Sequence, residues 1–253
     1  MSIEIIRDLR GLHSSIARHR NGPLNRAASL AIVPTMGAIH KAHEKLVIEA
    51  KRNADIVLAT IFVNPMQFGA NEDLDKYPIS EAEDIKRLKE KGCDIIYIPE
   101  KQTMYPKGFD LTINVPKLSS VLCGKKRKNH FQGVATVVAK LLLQSGADYA
   151  IFGEKDYQQL LIIHSLVKYL DIPCQILPIK TVRDENGLAI SSRNQYLNSE
   201  KKVLANNINL IIKRAADNFY DKNIKDTIES VKKELEKTGI NKIDYIEIRN
   251  NDN

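Results

Sequence analysis

Two histidines stand three residues apart in Pro34-Thr35-Met36-Gly37-Ala38-Ile39-His40-Lys41-Ala42-His43, directly after an apolar run at residues 29–33. A strand, a glycine turn and a helix start leave free backbone N–H groups and a partial positive charge at the turn, which suits phosphate. Histidines at this spacing can both face bound phosphates and donate hydrogen bonds as negative charge develops. Taken alone, the pair reads equally well as two surface histidines on a helix's first turn. Zinc fits less well, because no third ligand stands nearby and the sequence is not HExxH.

Other runs end in the same way. Residues 55–63 lead into Asn64-Pro65-Met66-Gln67-Phe68-Gly69, whose amides suit neutral hydrogen bonding to hydroxyls and carboxylates. The acidic Glu72, Asp73 and Asp75 that follow read as a solvated loop rather than a metal site. Residues 149–152 lead into Gly153-Glu154-Lys155-Asp156, a second glycine turn with a lysine able to reach phosphate. Residues 174–179 lead to Val182-Arg183 and then Ile190-Ser191-Ser192-Arg193, where two hydroxyls and an arginine make a second phosphate clamp or an ordinary polar turn. Lys125-Lys126-Arg127-Lys128-Asn129-His130 is the densest basic cluster, with one aromatic neighbour rather than the interleaved aromatics of a single-strand nucleic-acid binder.

These segments need elements to hold them. Short apolar runs at 29–33 (ended by Pro34), 55–63, 94–98, 149–152 and 174–179 predict strands. Helical spacing predicts helices over Leu9, Leu12 and Ile16, over 42–52, from a Ser80 cap to Gly92, and over 131–143 and 156–169. Strand alternating with helix indicates a parallel, doubly wound α/β sheet, in which ligands bind beyond the carboxyl ends of the strands. Near Lys180 the character changes to two amphipathic helices, 199–219 and 226–238, and a strand-like 243–248. The expected organisation is a first domain over 1–179 and a smaller α+β domain over 180–253.

With 43% hydrophobic and 27% charged residues the chain is an ordinary globular protein, which excludes collagen-like, disordered and coiled-coil classes. No apolar run approaches the roughly 18 residues of a membrane span, and the N-terminus does not read as a secretory signal. Three well-separated cysteines with no CxxC pair fit a reducing cytoplasm. Lys and Arg total 38 against 31 acidic residues, a balance that favours anionic partners.

In order and spacing, PTMGAIHKAH, IFVNPMQFG with EDLDKYP, the stretch from LCG through RKNHFQGVATVVAKL, FGEKDYQQL and GLAISSRNQYL resemble the pantoate–β-alanine ligase family, in the nucleotidyltransferase superfamily with HxGH and KMSKS-like signatures. The resemblance implies a Rossmann-like sheet with a small C-terminal lid. It also implies a two-step reaction: ATP and pantoate give a pantoyl adenylate and pyrophosphate, then β-alanine gives pantothenate and AMP. ATP is a substrate, Mg2+ is expected with it, and a cytoplasmic homodimer is implied, with no nucleic-acid or membrane partner.

Carried over residue by residue, the resemblance gives ATP contacts to Met36, Gly37, Ala38, Ile39, His40, Lys41, Ala42 and His43, to Gly153, Glu154, Lys155 and Asp156, and to Val182, Ile190, Ser191, Ser192 and Arg193. His43, His40, Lys155 and Arg193 would be catalytic, with Lys155 on the phosphates and Asp156 on the ribose. Gln67 and Gln159 would hold pantoate, Gln67 would also approach β-alanine, and Arg127 and His130 would be a basic pair beside the phosphates. No metal ligands are assigned.

The chain departs from the family pattern in three ways. Ala42 replaces the glycine of HxGH, and Arg127-Lys128-Asn129-His130 replaces Arg-Pro-Gly-His, which implies a more mobile loop. The chain also stops short of the family's usual end, which implies a reduced lid sheet. On residues alone, two rivals stand: a sibling adenylyltransferase, which would lack the paired glutamines, and an RNA-binding protein using 125–128.

Overall fold

The computed structural model describes residues 3–22, 27–70, 72–78, 80–219 and 223–250. They divide into two compact units, Met1–Thr181 and Val182–Asn253.

In the first unit the chain runs β1 (Glu4–Ile6), α1 (Leu9–Arg20), β2 (Leu30–Thr35), α2 (Lys41–Asn53), β3 (Ile56–Ile61), α3 (Glu81–Glu90) and β4 (Ile95–Tyr97). Three short helices follow, α4 (Lys101–Met104), α5 (Pro116–Ser119) and α6 (Leu122–Lys126), then α7 (His130–Ser145), β5 (Tyr149–Gly153), α8 (Tyr157–Tyr169) and β6 (Gln175–Ile179). The strands form one parallel sheet in the order β1-β4-β3-β2-β5-β6. From β2 the winding goes through β3 to β4 on one side and from β5 to β6 on the other. The crevice at the β2–β5 switch point is where such sheets take their ligands.

Both faces of the sheet are covered, which is why its central strands are mostly apolar. Leu30, Ile32 and Leu58 pack with Leu12, Val138 and Leu160 on one face. Ala31, Val33, Val57 and Ala59 pack with Val47 and Leu88 on the other. The doubly wound α/β fold expected from the sequence is therefore the fold observed.

Two details correct the sequence reading. Pro34 does not end β2, which continues to Thr35 with Pro34 opposite Thr60. The β2–β5 pairing has already stopped at Ile32, so a residue without an N–H is tolerated there. Ser80 takes the N-cap position of α3, but its side chain makes no cap hydrogen bond.

The second unit holds α9 (Ser199–Asp217) and α10 (Ile224–Lys237), joined by a small core of Ile211, Val231 and Leu235. The expected strand at 243–248 is not formed. Ile243 and Ile246, three apart, pack against that helical core instead. Among the described residues this unit has only an isolated bridge, Arg183 to Ala189, so the α+β expectation for it is not met.

Candidate active site

The loop after β2 is built by backbone geometry and one distant carboxylate. Gly37 and Ala38 both take positive φ, 84° and 50°. Thr35 Oγ1 donates to the Thr60 carbonyl at 2.6 Å and accepts from the Gly37 N–H at 3.2 Å. Asp84, on the first turn of α3, accepts from the Ala38 and Ile39 N–H groups at 2.9 and 2.6 Å. A Cβ at position 37 would stand 2.9 Å from an Asp84 oxygen, so the close approach needs glycine as much as the φ does. Burial raises the Asp84 pKa against the pull of those two N–H groups. The sequence reading missed Asp84, because an acid in a helix's first turn ordinarily faces solvent and complements the helix dipole.

The loop delivers His40 to the N-cap of α2 and His43 to its first turn. Their rings stack with centroids 4.0 Å apart and planes 15° from parallel. Each Nδ1 is buried with no hydrogen-bond partner. Burial pushes the His43 pKa down to about 3, and the nearness of His40 and of the Lys155 charge acts in the same direction. His40 is lowered as well, by burial and then by Lys155. Both rings are therefore neutral at pH 7 and present N–H donors rather than charges. The first N–H groups of α2 have no acceptor within the helix, which completes a donor-rich surface.

Lys155 comes from the turn after β5, across the switch point from His40 and His43. Its Nζ lies 3.1 Å from the Asp156 carboxylate. A Cβ placed on Gly153 would meet nothing within 4 Å, so the turn is open beside the histidines' strand.

The amides are held in two different ways. Gln67 Oε1 accepts from Asn64 Nδ2 at 3.0 Å, and Gln67 Nε2 donates to Met36 Sδ at 3.0 Å. In α8, Gln158 donates to the Leu118 and Val121 carbonyls and accepts the Cys123 N–H, all in the α5–α6 segment. Gln159 is half-buried on that helix's first turn.

Arg127 and His130 are not a pair of free charges. Glu72 takes the Nε–Nη2 edge of the Arg127 guanidinium with both carboxylate oxygens, which lowers the Glu72 pKa and raises that of Arg127. Arg127 Nη1 donates to His130 Nε2 at 2.9 Å, so the ring proton is on Nδ1 and goes to the Gln67 carbonyl at 2.7 Å. Burial lowers the His130 pKa, leaving Arg127 the one cation of the pair. Asn129 between them has φ 62°, the left-handed region that asparagine tolerates best after glycine. That geometry explains how Asn can stand where the family resemblance expects Gly.

In the second unit the Arg183–Ala189 bridge closes a turn that sets Val182 beside Ile190, whose N–H reaches the Val182 carbonyl at 3.0 Å. Ser191 caps the short helical turn that carries Ser192 and Arg193. Among the described residues no three His, Cys, Asp or Glu side chains gather as a metal site, and no helix is long and apolar enough to cross a membrane.

The profile of the family Pantoate-beta-alanine ligase matches residues 4–253. The chain belongs to the pantoate–β-alanine ligase family. It is 44% identical over 248 residues to the pantothenate synthetase of Pseudomonas savastanoi pv. phaseolicola, covering 96% of this chain and 86% of that protein. It is 46% identical over 231 residues to that of Shewanella halifaxensis, covering 90% and 81%. Among solved structures it resembles the pantothenate synthetase of Thermus thermophilus, with TM-score 0.85, 35% identity and coverage of 93% and 83%. It also resembles the Francisella tularensis ligase complexed with β-γ ATP and β-alanine, with TM-score 0.85, 34% identity and coverage of 99% and 91%. As a pantoate–β-alanine ligase, this chain binds ATP and uses it to condense pantoate with β-alanine.

Proposed function

We propose that the condensation proceeds through a pantoyl adenylate formed at the β2–β5 switch point. The observation that carries this is the neutral, stacked His40–His43 pair under the field of Lys155. A pantoate carboxylate oxygen attacks the α-phosphorus of ATP, and the bond to pyrophosphate breaks. His40, His43 and Lys155 donate to the departing phosphates as their charge grows, with Arg193 in the same role by family resemblance. The β-alanine amine then attacks the acyl carbon, AMP leaves, and the amine proton goes to solvent. A carboxylate lacks a good leaving group and AMP supplies one, so no covalent nucleophile of the protein is needed.

The other assignments follow the same reading. Residues 36–43, 153–156, Val182 and 190–193 contact ATP, Gln67 and Gln159 hold pantoate, Gln67 approaches β-alanine, and Arg127 with His130 supports the phosphate side. Residues 1–179 act as the nucleotide- and pantoate-binding domain and 180–253 as the lid. Mg2+ would come with ATP and would supply neutralising charge at its phosphates. The family resemblance further supports a cytoplasmic homodimer, which sedimentation equilibrium tests.

Exchange of labelled pyrophosphate into ATP tests the order of steps. It should require pantoate and proceed without β-alanine. Exchange without pantoate, or only with β-alanine present, overturns the adenylate or its order.

A further inference from the structure

Asn64 follows β3 and is 1% exposed. All four of its side-chain hydrogen-bonding positions are used. Oδ1 accepts the Met66 N–H at 3.2 Å and the Tyr105 hydroxyl at 2.8 Å. Nδ2 donates to the Gly133 carbonyl at 3.1 Å and to Gln67 Oε1 at 3.0 Å. Turning this amide over would set donors against donors at Met66 and acceptor against acceptor at Gly133, so its orientation is determined. Backbone packing keeps those partners in place: a Cβ on Gly133 would lie 2.2 Å from the Met66 carbonyl oxygen, so α7 lies against the turn with no room for a side chain.

The polarity passes to Gln67. Its Oε1 is committed to Asn64, so its NH2 group faces away, toward Met36. The thioether there is a weak acceptor, readily exchanged for a carboxylate or hydroxyl oxygen. Behind Asn64 stands Tyr105, edge-on to Phe62 and tilted against Phe109, with ring centroids 5.9 and 5.0 Å away. Burial raises its pKa, so the phenol keeps its proton and acts as the donor that Asn64 Oδ1 requires.

We propose that Tyr105 is a positioning residue for pantoate recognition: through Asn64 it fixes the Gln67 amide with its two N–H donors available to substrate oxygen. This rests on the assignment of Gln67 to pantoate. It makes the site selective for an acceptor at that position and explains why an aromatic residue outside every recognised motif carries a hydroxyl.

Tyr105→Phe removes one oxygen and keeps the ring packing. The KM for pantoate should rise on the order of 10-fold, the scale of one lost hydrogen bond in a buried network. The ATP Kd and kcat should stay near wild type. Discrimination between pantoate and its analogue lacking the hydroxyl groups should narrow. In the Gln67→Ala background, Tyr105→Phe should add nothing to the pantoate KM. If Gln67→Ala leaves the pantoate KM unchanged, the Gln67 assignment fails and this inference with it. If Gln67→Ala shows its defect while Tyr105→Phe matches wild type, or adds its full effect in the double variant, the inference alone is overturned.

Discussion

His40 and His43 lie face to face, ring centroids 4.0 Å apart, at the mouth of α2 and under the field of Lys155. Two stacked imidazolium ions beside an ammonium would repel one another. The arrangement holds both rings neutral while keeping their N–H groups as donors. Such a pair favours charge that is present only on a ligand or in a transition state, and it has no fixed charge of its own to be solvated.

Acid should therefore work against the fold through His43. Its folded pKa of about 3 lies below the ordinary value of about 6.5. Between those values the unfolded chain takes up a proton that the folded chain refuses, so stability rises with pH across the window and is lost as pH falls. Melting temperatures measured at about pH 5 and about pH 7.5 should differ less in His43→Asn than in wild type. An identical acid loss in both proteins would show that His43 is not the group responsible.

Removing the donor outright should slow chemistry more than it disturbs the fold. His43→Ala is expected to reduce pantoyl adenylate formation by roughly 10²–10³-fold, the usual cost of one donor aimed at developing charge. Rapid-quench detection of the adenylate, with a melting curve alongside, measures both. Near-normal adenylation would remove His43 from the mechanism.

Asp84→Asn keeps the shape but not the valence. An amide can accept one of the Ala38 and Ile39 N–H groups and must turn its own NH2 toward the other. A loss of about 1–3 kcal/mol in stability is expected, since a buried donor is left unpaired. Calorimetry should show weaker ATP binding, because the 36–43 loop loses its anchor. Wild-type values in both measurements would mean that the loop's two positive-φ residues hold their conformation unaided.

Position 129 offers a purely conformational test. Asn129→Gly should leave urea stability close to unchanged, while Asn129→Val should cost about 1–2 kcal/mol because a β-branched residue resists the left-handed region. Equal stability of the two variants would show that the backbone there relaxes freely.

Local pattern carried the frame. Largely apolar runs at β2 and β3 announce a sheet covered on both faces, and a glycine turn following β2 and β5 places the histidines and Lys155 where such a sheet binds ligands. The same local reading failed where folding joins distant residues. Asp84 reaches the Ala38 and Ile39 amides across 46 and 45 residues, Tyr105 reaches Asn64 across 41, and Glu72 reaches Arg127 across 55. Along the chain each of these looks like a solvated acid or an ordinary aromatic. At 243–248 the β-branched residues suggest a strand, but a strand needs a partner, and Ile243 and Ile246 found a helical core instead. Composition and periodicity report which surfaces a segment must bury. Which donor meets which acceptor depends on packing between elements far apart in the chain, and no local pattern encodes that choice.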